Sequence, residues 1–334
     1  MDLSRLGRIA DPDARLAGAQ ARAPSPRAPS PPAAPAAPAH RFLQPTELRR
    51  LRNFQFATKL VVEGYFQGRH RSPYYDFSSE FADYRPYVPG DEIRSIDWRA
   101  YARTDRYYIK LFRKETDMNC YLLVDKSRSM AFRGDDGLSK LDYASYAAAA
   151  LAYLIVRQGD KAGLAIGDDA LRTYVPAGGT HGHLNRVLTT LEHTTAGGQT
   201  GLATTLQTLF GALKRRGLLV VISDLLDDPD RVFTALGMFA HRGFSVLLFQ
   251  VLTDDELHLP QVGNALFQDM ESPLSLSAEP DQIRSAYEDE IGRFLDGIAG
   301  QAKARRIHYH LASTSTPYHH ALEAYLTTRA DTRL

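Results

Sequence analysis

A single cysteine, Cys120, stands in 334 residues. An intramolecular disulfide is therefore impossible, and paired-cysteine zinc or redox chemistry is excluded. A reducing cytoplasm suits such a chain best. Long apolar runs are missing as well. The longest uncharged apolar run, residues 143–156, has 14 residues rich in Ala and Tyr, short of the roughly 18 to 20 that cross a bilayer, and it reads as a buried helix. The opening MDLSRLGRIADPDARLAG carries no apolar core of a secretory signal. No GxSxG, HExxH or GxxxxGK[ST] occurs, which leaves a serine esterase, a zincin and a P-loop ATPase without support. Net charge is nearly absent: 40 Lys and Arg against 39 Asp and Glu leave +1. The whole-chain balance thus points to neither nucleic acid nor membrane.

The near-zero total conceals an asymmetry. Residues 1–40 carry +2, residues 41–115 carry +5 and residues 116–334 carry −6. Composition shifts at similar places. Residues 22–40, RAPSPRAPSPPAAPAAPAH, hold seven of the 18 prolines, a composition that favours extended conformers and cannot bury a core. Residues 1–40 are therefore expected to form a disordered leader. Residues 41–116 form a second unit. Within it Leu48, Leu51, Phe54, Leu60 and Val61 recur at helical spacing, with Thr46 as N-cap and Gly64 as stop. Residues 65–112 then carry 13 aromatics in 48 residues, interleaved with arginine. That density suits either base stacking or the core of a small β-rich module.

From residue 117 to 334 apolar strands alternate with helices: MNCYLLVD, a buried helix closed by Gly159, KAGLAIGDD, ALRTYVP, two helical stretches, LLVVISD, a further helix and FSVLLFQVL. Short strands near ALFQDM and LSLS, a long helix near 280–303, the strand RIHYHLAS and a closing helix complete the series. Central strands apolar throughout predict an α/β fold, a doubly wound and mostly parallel sheet covered on both faces.

Chemistry concentrates where the first of these strands ends. Asp125, Ser127 and Ser129 in VDKSRSM lie at alternate positions of a loop and offer one carboxylate and two hydroxyls, an all-oxygen set suited to a hard cation such as Mg²⁺. Asp224 ends LLVVISD, and Thr200 lies in GGQTGL just before a helix. In a doubly wound sheet the crevice opens beyond the carboxyl ends of the strands, where the winding reverses. If the strands ending at Asp125 and Asp224 flank that point, the two carboxylates meet there.

These residues resemble the von Willebrand factor A domain, whose metal-ion-dependent adhesion site reads Asp-x-Ser-x-Ser, then Thr, then Asp. More narrowly, the sequence resembles the bacterial family called domain of unknown function 58. Its hallmark matches EFADYRPYVPGDEIRSIDWRAYARTDRYYIKLFRKETD ahead of LLVDKSRSM, with RQGDKAGLAIGDD and LLVVISDLLDD as further blocks. The resemblance covers about residues 60–330 and implies a von Willebrand A-like domain behind a smaller N-terminal aromatic and basic module. It implies that Asp125, Ser127, Ser129, Thr200 and Asp224 hold Mg²⁺, or another divalent ion such as Mn²⁺ or Ca²⁺. An acidic residue of a protein partner would complete the site, and the protein would be an adaptor rather than an enzyme. Proteins of the family are commonly linked with MoxR-type AAA+ ATPases, which implies chaperone-like maturation of client proteins with ATP hydrolysis supplied by the partner. Thr180, in GGTHGHL, resembles a GGT threonine signature, but the family's threonine lies between the second and third helices, where Thr200 stands.

Plainer readings stand beside these. Asp125 and its serines could simply cap a helix. Lys126 and Arg128, between the ligands, oppose a cation unless they turn away, and could instead attract an acidic partner. The pairs His181 with His183 and His308 with His310 have no third ligand spaced for zinc, and His319 and His320 read as surface residues at a helix start. Cys120 reads as an inert core thiol, and Trp98, the only tryptophan, as core. Nucleic-acid binding through residues 41–115 is the alternative function. Metal-dependent hydrolysis at Asp125 lacks an apparent general base, and DKSRS lacks the second aspartate of a phosphoaspartate phosphatase.

Overall fold

The computed structural model describes residues 9–10, 54, 57–59, 61–63, 84–87, 98–110, 118–135, 137–259, 265–270 and 275–331. In chain order these residues form β1 (Ile9–Ala10), β2 (Tyr84–Pro86), α1 (Trp98–Thr104), β3 (Tyr108–Lys110) and β4 (Asn119–Asp125). A 3-10 turn, Arg128–Ala131, then leads into α2 (Lys140–Arg157), β5 (Lys161–Gly167) and β6 (Leu171–Gly178). Helices α3 (His181–Glu192) and α4 (Leu202–Ala212) precede β7 (Leu218–Ser223), α5 (Pro229–His241) and β8 (Ser245–Leu252). The last elements are α6 (Asp254–Leu257), β9 (Ala265–Gln268), β10 (Ser275–Ala278), α7 (Pro280–Ala304), β11 (His308–Ser313) and α8 (His319–Asp331).

Strands β4, β7 and β8 are apolar at nearly every position because both their faces are covered. Along β4 the side chains alternate: Cys120, Leu122 and Val124 enter the core on one face, Tyr121 and Leu123 the core on the other. The first core is closed by α2, α3 and α8, the second by α4, α5 and α7. At about 1.5 to 3 kcal/mol for each fully buried aliphatic side chain, this double coverage dominates the folding energy. The sheet order is β11-β8-β7-β4-β5-β6. All pairs are parallel except β5 with β6. From β4 the chain winds outward through β5, then returns to place β7 on the other side of β4. The winding reverses between β4 and β7, so the strands that end at Asp125 and just before Asp224 do flank the switch point.

Helix α2 confirms the helical reading of residues 143–156 and begins three residues earlier, at a capping box in which the Ser139 hydroxyl accepts from Asp142 N and Asp142 accepts from Ser139 N. It ends before Gly159, whose φ of +83° is left-handed. Cys120 is fully buried, its Sγ 3.9 Å from Tyr325 Oη, and burial pushes its thiol pKa up.

The N-terminal parts differ more from expectation. Within the leader, Ile9–Ala10 pair antiparallel with β9, giving the edge of the β9-β10 hairpin a partner. The rest of residues 1–40 lies outside the described residues, as do Thr46, Leu48, Leu51, Leu60 and Gly64. Helical Phe54, Ala57, Val61 and Val62 are buried in the first core of the α/β domain, Phe54 packing on Tyr146. β2 and β3 form a two-stranded antiparallel ribbon. Trp98, expected in the core, is 56% exposed. It makes edge contacts with Tyr101 and Tyr107, which stack on each other at 4.5 Å. A seven-residue helix has too little area to cover a ring that large, so the cluster satisfies itself at the surface.

Candidate metal centre

Parallel pairing of Val124 with Ile222 brings the ends of β4 and β7 side by side. The side chains that follow, Asp125 and Ser223, therefore touch: Ser223 Oγ donates to Asp125 Oδ2 at 2.6 Å. Asp125 Oδ1 accepts the Ser127 amide at 2.8 Å, which folds the loop back over the strand end. The Ser127 and Ser129 hydroxyls come within 3.1 Å of each other, both buried. Ser127 precedes the 3-10 turn but makes no side-chain capping bond, so the plain capping reading does not account for its position.

Asp224 is fully buried one residue beyond β7. The chain must turn sharply there, and Leu225 adopts φ +58°, a left-handed conformation uncommon for a bulky side chain. The turn is held from several sides. Leu225 N donates to Ser223 Oγ at 3.0 Å, Leu226 N donates to Asp224 Oδ1 at 3.2 Å, and Gln250 Nε2 donates to the Asp224 carbonyl at 3.1 Å. Tyr309 Oη in turn donates to Gln250 Oε1 at 2.7 Å. Burial, and then the neighbouring Asp224 charge, push the Asp125 pKa up to about 7.

The loop carrying Thr200 is stitched to the first loop by two backbone bonds: Gly197 N donates to Lys126 O at 2.8 Å and Arg128 N donates to Gly198 O at 3.1 Å. Gly198, at φ +84°, lies so close to Asp168 that a Cβ there would sit 2.5 Å from its carboxylate, so only glycine allows this approach. Thr180 is elsewhere. Gly178 pairs with Ala162 at the start of β5, and Thr180 caps α3 by accepting the His183 amide. It stands at the opposite end of the sheet from Asp125.

Lys126 turns aside, its Nζ 3.8 Å from Asp168, while Arg128 is exposed. Beside them opens a cavity of about 390 Å³ lined by Lys126, Arg172, His193 and threonines that include Thr173, Thr189 and Thr194. No Asp or Glu lines it, although Arg172 is paired with Asp168 and Asp169. The histidine pairs do not converge on a metal. His183 Nε2 is engaged with Ala162 O, and among the described residues no cluster of three His, Cys, Asp or Glu side chains suits one. His319 and His320 open α8, but only His320 is exposed; His319, expected at the surface, is half-buried.

Three groups escape a reading of the sequence. Ser223 adjoins Asp224 and could have been suspected from that alone. Lys140 and Glu256 could not, since a lysine at a helix start and a Thr-x-x-Glu capping box both look solvent-facing. In the fold Lys140 Nζ is fully buried, 2.8 Å from Asp224 Oδ2 and 2.5 Å from Glu256 Oε1. Although burial pulls the ammonium pKa down, Asp224 and Glu256 raise it above the ordinary lysine value. The donor set of Asp125, Ser127 and Ser129 with Asp224 behind it is all oxygen, and its two hydroxyls lie within hydrogen-bond distance of each other. That chemistry fits a hard divalent cation.

Solved structures to which this chain is similar include BatB from Bacteroides thetaiotaomicron, 16% identical, covering 64% of this chain and 99% of that one with a TM-score of 0.45. The VWA domain of SpRpn10 is 14% identical, covering 40% of this chain and 75% of that one with a TM-score of 0.32. An uncharacterised protein of Mycobacterium tuberculosis is 34% identical over 225 residues, which are 66% of this chain and 70% of that protein. One of Mycobacterium bovis matches to the same extent. The family model described as protein of unknown function DUF58 matches residues 83–293, a span that contains the sheet switch point, the Asp125 loop and Asp224, and the chain belongs to that family.

Proposed function

We propose that this protein is a non-enzymatic adaptor that binds a partner protein through a divalent cation, Mg²⁺ in the first instance. Asp125, Ser127 and Ser129 would hold the ion, with Thr200 and Asp224 completing the set. The observation that carries this reading is the pair of buried hydroxyls, Ser127 and Ser129, held 3.1 Å apart beside the Asp125 carboxylate at the switch point. When bound, the ion would supply positive charge that neutral hydroxyls leave largely uncompensated, and so a strong contact for an incoming carboxylate. This chain's own residues do the rest. Ser223 and the Ser127 amide orient Asp125, and the Leu225 turn fixes Asp224. The neighbouring cavity, with Lys126, Arg172 and His193 on its walls, favours a partner whose contact segment is acidic.

A MoxR-type AAA+ ATPase is the partner class this reading assigns, with ATP hydrolysis on the partner and client presentation on this chain in a reducing cytoplasm. The test is capture of partners from the native host on the full chain. Yield should fall on adding EDTA and in Asp125→Ala. A yield unchanged by both would overturn metal-mediated binding.

One observation favours a second reading, nucleic-acid binding. Trp98 and Tyr107 are exposed next to exposed Arg103 and Arg106, a stacking surface with adjacent cations. Salt-dependent retention on single-stranded DNA or RNA would support it, and absence of retention at low salt would remove it.

A further inference from the structure

Lys140 is the first residue of α2, directly after the N-cap Ser139, and its side chain is fully buried. Both circumstances oppose a cation. The first turn of a helix carries positive partial charge, and an ammonium withdrawn from water is unstable unless carboxylates compensate it. Asp224 and Glu256 do so from two different elements, the turn after β7 and helix α6. Glu256 is itself held: its Oε2 accepts from Thr253 N at 2.8 Å and from Thr253 Oγ1 at 3.1 Å, and Tyr287 Oη donates to its carbonyl at 2.6 Å. The ammonium therefore has one fixed partner, Glu256, and one that belongs to the candidate metal centre, Asp224.

We propose that Lys140 is a tethered counter-cation that competes with the divalent ion for Asp224, while Glu256 anchors the ammonium in place. This rests on the metal reading given above. It makes Lys140 a positioning residue that sets the strength of the metal site. With all four side chains ionised, Asp125, Asp224 and Glu256 against Lys140 sum to −2, which one divalent ion balances. Without Lys140 the same carboxylates sum to −3, and Asp224 is released toward the ion. The wild-type site is thereby kept weak enough to exchange its ion and to need a partner's carboxylate for tight occupancy.

Metal affinity separates this from a purely structural bridge between α2, β7 and α6, because a bridge has no reason to weaken metal binding. The experiment is Mn²⁺ titration of the full chain, by calorimetry or by the free-ion electron paramagnetic resonance signal. Wild type, Lys140→Met and the double variant Lys140→Met with Glu256→Gln are compared. The double variant removes one positive and one negative charge, so it leaves no unpaired glutamate and serves if the single variant fails to fold. Both variants should bind Mn²⁺ at least tenfold more tightly than wild type, and their melting temperatures should respond more strongly to Mn²⁺. Binding by wild type with no gain in either folded variant overturns this inference alone. Binding by none of the three overturns the metal reading and this inference with it.

Discussion

Replacing Asp125 with asparagine separates the electrostatic burden of the site from its shape. Burial, with the Asp224 charge added, raises Asp125 from the ordinary 3.8 to about 7. The folded chain therefore keeps a proton that the unfolded chain releases. The stabilisation that this proton brings is complete below about pH 4 and is lost as pH rises to about 7. At about 1.4 kcal/mol for each tenfold change, the whole span amounts to about 4 kcal/mol. Asparagine is neutral throughout and escapes that loss; the bond donated by Ser223 Oγ to the carboxylate already holds the Asp125 value down and is contained in it. The metal-free Asp125→Asn variant should thus be about 4 kcal/mol more stable than wild type at pH 8, and the two should converge near pH 4. Urea unfolding in EDTA across pH 4 to 8 measures both curves. In Mg²⁺ the order should reverse, since only wild type offers the carboxylate. Equal pH slopes for the two proteins, or a variant less stable than wild type at pH 8 in EDTA, would refute the reasoning.

Other consequences can be measured separately. Ser127→Ala and Ser129→Ala should each weaken Mn²⁺ binding about tenfold or more; full affinity in both would remove them from the metal set. Gly217→Ala should destabilise by more than about 3 kcal/mol, since a Cβ there would lie 1.9 Å from the Asn119 carbonyl oxygen; a wild-type denaturation midpoint would contradict the close approach of these strands. Arg329→Ala should cost about 3 kcal/mol in chemical unfolding, because Arg329 Nη2 sits 2.7 Å from the buried Asp160 carboxylate that also accepts the Met118 amide at 3.1 Å; a loss under about 1 kcal/mol would mean that α8 is held by its apolar face alone.

The architecture was legible in the residues themselves because strand and helix periods differ and because doubly covered strands must be apolar throughout. LLVVIS and SVLLFQVL could hardly be anything but central strands, and the buried helix over 143–156 announced itself by its alanines. Asp125, Ser127, Ser129 and Asp224 were visible for a related reason: polar side chains that end apolar strands must meet at the crevice where the strands stop. Thr200 is preferred to Thr180 already by the order of helices in the sequence, and the antiparallel run of β6 carries Thr180 to the far end of the sheet. Trp98 went astray since a lone tryptophan is usually buried, and nothing in its neighbours' identities says how little surface α1 can cover.

What the sequence determined alone is therefore the order of elements, the two-faced sheet and the end of it where chemistry gathers, all of which follow from local pattern and chain connectivity. Only the tertiary structure decided how charge is arranged there. Lys140, Asp224 and Glu256 are 84 and 116 residues apart along the chain from the lysine outward, and no periodicity links them. Their ion pairs exist because the winding reversal stacks the start of α2 against the ends of β7 and β8, where a buried ammonium can persist only between two carboxylates.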